Sequence, residues 1–130
     1  MRRHKVSMAV AAVLLLGFAS PGFAQAKGPG SKLAQETVQL LGTQEMMLVT
    51  AVRQKETRGG KEDFDRFIMQ PLEAMAGRWR ALSREERLDR IHCITALQEF
   101  QNHASDSFKA GRIGPPNSLY KESLAVCKKA

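Results

Sequence analysis

Four arginines fall within ten positions of this 130-residue chain, Arg78, Arg80, Arg84 and Arg87, and they are its densest set of side chains suited to recognition chemistry. A guanidinium presents a planar fork of N–H donors that fits a carboxylate or a phosphate with two bonds at once. Arg90 follows shortly after, and Glu85, Glu86 and Asp89 offset part of the charge. The cluster predicts a contact surface for an acidic partner. The competing description is a solvated helix junction with pairs such as Glu86 and Arg90 at i, i+4. Trp79 is the one aromatic residue among these arginines and falls on an apolar arc. No stacking platform for nucleic acid is therefore expected.

A second constellation is His92, Glu99, His103 and Asp106. The first three are spaced by seven and four residues and so project from one side of a helix. Imidazole and carboxylate at that spacing can ligate a divalent metal, yet the stripe lies opposite the apolar face, where wet residues belong in any case. Met46, Met47, Met69 and Met75 raise copper or haem ligation, but Met47 and Met75 fall on apolar arcs and read as packing. No metal ligand and no cofactor is therefore assigned.

Cys93 and Cys127 are the only cysteines. Both fall on apolar helical faces, and neither belongs to a Cys-x-x-Cys redox pair or a haem-attachment motif. A structural disulfide is expected between them. Its closed loop of about 35 residues corresponds to roughly 4 kcal/mol in the chain-entropy treatment. The sequence has no Gly-x-Ser-x-Gly elbow, no His-Glu-x-x-His and no glycine-rich phosphate loop, so it offers no catalytic residues and the reading is non-enzymatic.

The N-terminus supplies the compartment in which those thiols would oxidise. Arg2, Arg3 and Lys5 precede an apolar run from Val6 to Phe18, a Ser20-Pro21-Gly22 break and small residues at Ala24 and Ala26. That order predicts a signal peptide over residues 1–26 and a single domain over 27–130, with export to the bacterial periplasm or beyond. The apolar run is too short to cross a bilayer, and no second one follows, so no transmembrane segment is expected in the mature chain. The formal charge of +7 falls to about +4 when Arg2, Arg3 and Lys5 are removed. A modest positive charge favours acidic proteins of the envelope over DNA as partners.

The elements that must hold these groups are helical. From about Ser31 to Lys55, Leu33, Ala34, Val38, Leu40, Leu41, Met47, Leu48, Val49, Ala51 and Val52 gather on one broad arc at helical periodicity. Lys27-Gly28-Pro29-Gly30 reads as a flexible leader to it. Glu45 is the charged residue on this arc and calls for a partner, for which Arg78 is the candidate. Thr57-Arg58-Gly59-Gly60 marks a turn, and Phe64, Phe67, Ile68, Leu72, Met75, Trp79 and Leu82 stay in phase beyond it. Pro71 either kinks that second helix or opens a new one after Gln70.

Ser83-Arg84-Glu85-Glu86 has the form of a capping box and predicts the start of a third helix, with Cys93, Ile94, Leu97, Phe100, Ala104 and Phe108 inward and Gly111 at its end. Asn117 caps a short last helix carrying Tyr120, Leu124 and Cys127 on one face. No segment alternates with the period of a strand. The expected fold is all-α, a small bundle of three long helices and a short C-terminal helix with one disulfide.

These features together predict a small exported helical protein that binds another protein, as an inhibitor, immunity factor, adaptor or chaperone. The alternative is a periplasmic carrier or sensor of metal or haem.

Overall fold

The computed structural model describes residues 28–130; the expected signal peptide lies outside them. They form an all-α bundle. Helix α1 spans Gly28–Arg53, and the second helical arm runs through α2 (Gly60–Phe64), a π-helical turn (Asp65–Met69) and α3 (Gln70–Arg80). Then come α4 (Arg84–Asp89), α5 (Ile91–Ala110) and α6 (Ser118–Lys128). None of these helices is long and apolar enough to cross a membrane.

Helix α1 begins earlier than its apolar pattern suggests. Gly28, Pro29 and Gly30 form its first turn rather than a flexible leader. Pro29 lacks only an N–H that would find no intrahelical partner there. A Cβ on Gly30 would meet the Glu86 carboxylate of α4, the movable end of a flexible side chain, which would have to shift to admit it. Gly30 and Ser31 are consequently buried.

The core face of α1 carries Leu33, Ala34, Leu41, Leu48 and Val52, with Val38, Leu40, Met47 and Ala51 at its margins. Val49 turns outward instead. Two polar residues, Thr37 and Gln44, hold fully core-facing positions. Thr37 Oγ1 donates to the Leu33 carbonyl (2.8 Å) and accepts from Trp79 Nε1 (2.9 Å), which satisfies the buried indole at the α1–α3 seam.

Gln44 answers the question posed by Pro71. In an unbroken α-helix the Phe67 carbonyl accepts from the N–H of residue 71, which proline lacks. Gln44 Nε2 donates to that carbonyl instead, at 3.1 Å. The arm neither stops nor makes a simple α-helical kink: Gln70 N–H reaches back to the Asp65 carbonyl, the i→i−5 bond of a π turn. This wider turn keeps Phe64, Ile68 and Leu72, each four residues apart, on the core side. Phe67, expected in the apolar stripe, is 47% exposed as a result.

The predicted third helix is two helices. Arg90 leaves helical geometry (φ −124°, ψ 37°) and separates α4 from α5. Ser83 Oγ accepts from Glu86 N–H at 3.2 Å, but the Glu86 carboxylate turns toward Arg90 and the start of α1, so only half of the expected capping box forms. Helix α5 then buries Cys93, Leu97, Phe100, Ala104 and Phe108, the last stacked on Phe64 at 4.1 Å between ring centroids. Gly111 ends it in the left-handed conformation (φ 76°).

Asn117 caps α6 by accepting from Tyr120 N–H at 2.7 Å. Cys93 and Cys127 form the disulfide, with Cα atoms 4.7 Å apart, and fasten α6 to α5 inside the core.

Candidate functional site

The arginine cluster lies where α3, α4 and α5 meet, and the structure divides it. Arg78 pairs with Glu36 of α1 at 2.6 Å, not with Glu45 as expected. Arg87 turns back on the chain, its Nη1 donating to the carbonyls of Arg80 (3.0 Å) and Leu82 (3.1 Å). These are carbonyls that the end of α3 leaves without intrahelical donors, so Arg87 works as a C-terminal cap. Arg90 is the most enclosed of the group, with 13% of its side chain exposed, and faces Glu86 at 3.6 Å. Arg80 and Arg84 are exposed and form no ion pair with any described residue. Two of the four expected contact residues are therefore committed to the fold, and two remain outward.

Two aliphatic residues that the arginine pattern overlooks join them. Helix α4 buries no residue at all, and its Leu88 is 55% exposed. Ile91, just beyond the Arg90 break, is 43% exposed. Arg84 and Leu88 are four apart and share a helix face, while Glu85 and Asp89 fall on an adjoining flank. Arg84 and Leu88 therefore present a guanidinium and an aliphatic group together on the exposed face of α4. The available signal was Leu88 itself, the lone apolar residue of Arg84–Asp89, which the continuous third-helix reading left without a role.

The histidine stripe does not assemble as a ligand set. Among the described residues no three His, Cys, Asp or Glu side chains converge. His92 is exposed, and Glu99 accepts from Asn117 Nδ2 at 2.8 Å. His103 leans toward the Phe100 ring, with ring centroids 5.9 Å apart. Of the methionines, Met75 is buried, Met47 and Met69 border the core, and Met46 is 75% exposed.

Glu45 found a partner that sequence proximity gave no reason to expect. Tyr120 of α6 donates its hydroxyl to Glu45 Oε2 at 2.7 Å, across 75 positions of chain. Burial of Tyr120, followed by its hydrogen bond to Glu45 and the Glu45 charge, pushes the phenol well above its ordinary ionisation range. The pair stands beside a cavity of about 220 Å³ between α1, α5 and the loop after α5, lined by Leu48, Phe100, His103, Ile113 and Pro116 as well.

Comparison of the chain with protein-family models, with curated proteins and with solved structures gave no match. The functional reading therefore rests on the residues themselves.

Proposed function

We propose that this chain is a small exported helical protein that works by binding another protein of the bacterial envelope or extracellular space, with the α4 face as its contact surface. The class comprises inhibitors, immunity factors, adaptors and chaperones, none of which needs a reactive side chain. One observation carries the reading: α4 buries nothing and presents exposed Leu88 on the same face as exposed Arg84, while Arg80 at the end of α3 and Ile91 at the start of α5 are exposed as well. A helix contributing so little to the core has its outer face available for another use. Desolvated aliphatic groups would supply the affinity of such a contact, and the guanidinium groups would select an acidic partner. Export is supported by the basic, apolar and small-residue order of the N-terminus and by a disulfide that an oxidising compartment would maintain.

A photo-cross-linking side chain in place of Leu88, with the same group in place of exposed Glu122 as a control, tests the surface in the native host. The expected result is a discrete adduct at position 88 that is absent at position 122. R80E/R84E should remove that adduct and leave helicity unchanged, since exposed substitutions typically cost under about 0.5 kcal/mol each. Arg87 is left intact because it caps α3. Equal adducts at both positions, or an adduct indifferent to the double charge reversal, would remove α4 as the contact surface.

A further inference from the structure

Glu45 is exposed at the mouth of an open, partly apolar cleft, and no described lysine, arginine or histidine forms an ion pair with it. One carboxylate oxygen accepts from the Tyr120 hydroxyl; the other has no protein donor. Tyr120 spends its proton on Glu45 and keeps its oxygen lone pairs as acceptors. The ring of Tyr120 lies 5.6 Å from that of Phe100, so two aromatic groups border the same cavity as the carboxylate. The remaining wall comes from Leu48, Ile113 and Pro116, with His103 at one side. An unpaired carboxylate, a phenol oxygen and aromatic rings are complementary to a cation that brings N–H donors.

We propose that this cavity binds a small organic ammonium compound, with its charged nitrogen between Glu45 and Tyr120 and its apolar body against Leu48, Phe100, Ile113 and Pro116. The volume of about 220 Å³ equals that of roughly seven liquid waters, which suits a primary amine on a short aliphatic or single-ring body. Position within the fold is selected by charge. A neighbouring cavity of about 490 Å³ also reaches Glu45 and Tyr120, but Lys121, Lys128 and Lys129 line it and repel a cation. The ligand therefore occupies the His103 side. This site shares no residue with the α4 surface and stands or falls independently of it.

The test uses the folded, disulfide-bonded protein with 2-phenylethylamine and its neutral isostere 2-phenylethanol, followed by calorimetry and by NMR shifts of Ile113 and His103. The amine is expected to bind with a Kd of about 1 mM and the alcohol at least tenfold more weakly. E45Q should weaken the amine at least tenfold and leave the alcohol unchanged, with Y120F losing less because the carboxylate remains. Thermal unfolding of E45Q confirms that the fold persists. Equal affinity for amine and alcohol, an unchanged amine Kd in E45Q, shifts confined to the lysine-lined side, or no amine binding at millimolar concentration would each overturn the proposal. If E45Q fails to fold, the amine-to-alcohol ratio in the unmodified protein decides alone.

Discussion

Helices α4 and α6 are both short, and both begin at a side-chain cap, Ser83 in one and Asn117 in the other. Their inward faces differ completely. Helix α6 buries Tyr120, Ser123 and Cys127 and is tied to α5 by a disulfide, whereas α4 buries nothing. Local signals alone therefore suffice to start a helix, but only packing decides whether it serves the core. Helix α6 is part of the fold's stability; α4 is held in place by its caps, by Arg87 and by the seat of Glu86 against Gly30.

The contrast is tested most severely at the disulfide. Cys93→Ser should lower the unfolding free energy by about 2 to 5 kcal/mol. Native-state hydrogen exchange should then show α6 opening before α5, which retains its packing against α1. Protection of α6 equal to that in the oxidised protein would mean that the covalent tie is not what separates it from α4.

A smaller effect is expected at the other end of the comparison. Gly30→Ala displaces the Glu86 carboxylate from its seat, and overpacking of this kind typically costs about 1 to 3 kcal/mol. Alanine in a helix regains about 1 kcal/mol over glycine, so a net loss of about 0 to 2 kcal/mol is expected. Exchange protection should fall in α4 and the first turn of α1, with α6 unaffected. A uniform loss across the molecule would show that α4 is coupled to the core as tightly as α6.

The smallest expected effect is a pH dependence centred on α6. The chain has a single tyrosine, so tyrosinate absorbance reports Tyr120 alone. Its phenol is raised in the folded state by burial first and Glu45 second. Above an ordinary phenol value of about 10 the unfolded chain releases this proton while the folded chain keeps it, so stability is full below that pH and declines as pH rises. The contribution is at most about 1.4 kcal/mol per pH unit. It is read as the difference between the alkaline unfolding slopes of wild type and Tyr120→Phe. Identical slopes, or tyrosinate appearing at the same pH with and without denaturant, would contradict it.

Much of this architecture was legible in the sequence because it depends on local rules. Helical periodicity located the apolar faces of α1 and α5, Gly111 and Asn117 marked a stop and a start, and two inward cysteines named their own bond. Several of the departures come from long-range partners. The π turn depends on Pro71 together with a glutamine on another helix, and the early first turn of α1 packs against Glu86, more than fifty positions away. The break at Arg90 separates a stripe that packs from one that does not, which periodicity treats as continuous. Arginine density was a sound guide to where α3 and α4 meet, but it did not distinguish Arg87, which caps carbonyls, from Arg84, which faces outward. The Glu45 and Tyr120 pair was beyond reach for the same reason: nothing local to either residue specifies the other.

The bond from Gln44 to the Phe67 carbonyl makes the residue suited to position 44 depend on the one at position 71. Any relative in which residue 71 regains an N–H offers that carbonyl an α-helical donor again, and the amide at position 44 loses its reason to be polar in a core. Leucine or methionine then becomes the natural occupant. Drift at one position should accordingly be answered at the other, and a chain with proline at 71 but an aliphatic residue at 44 should be selected against.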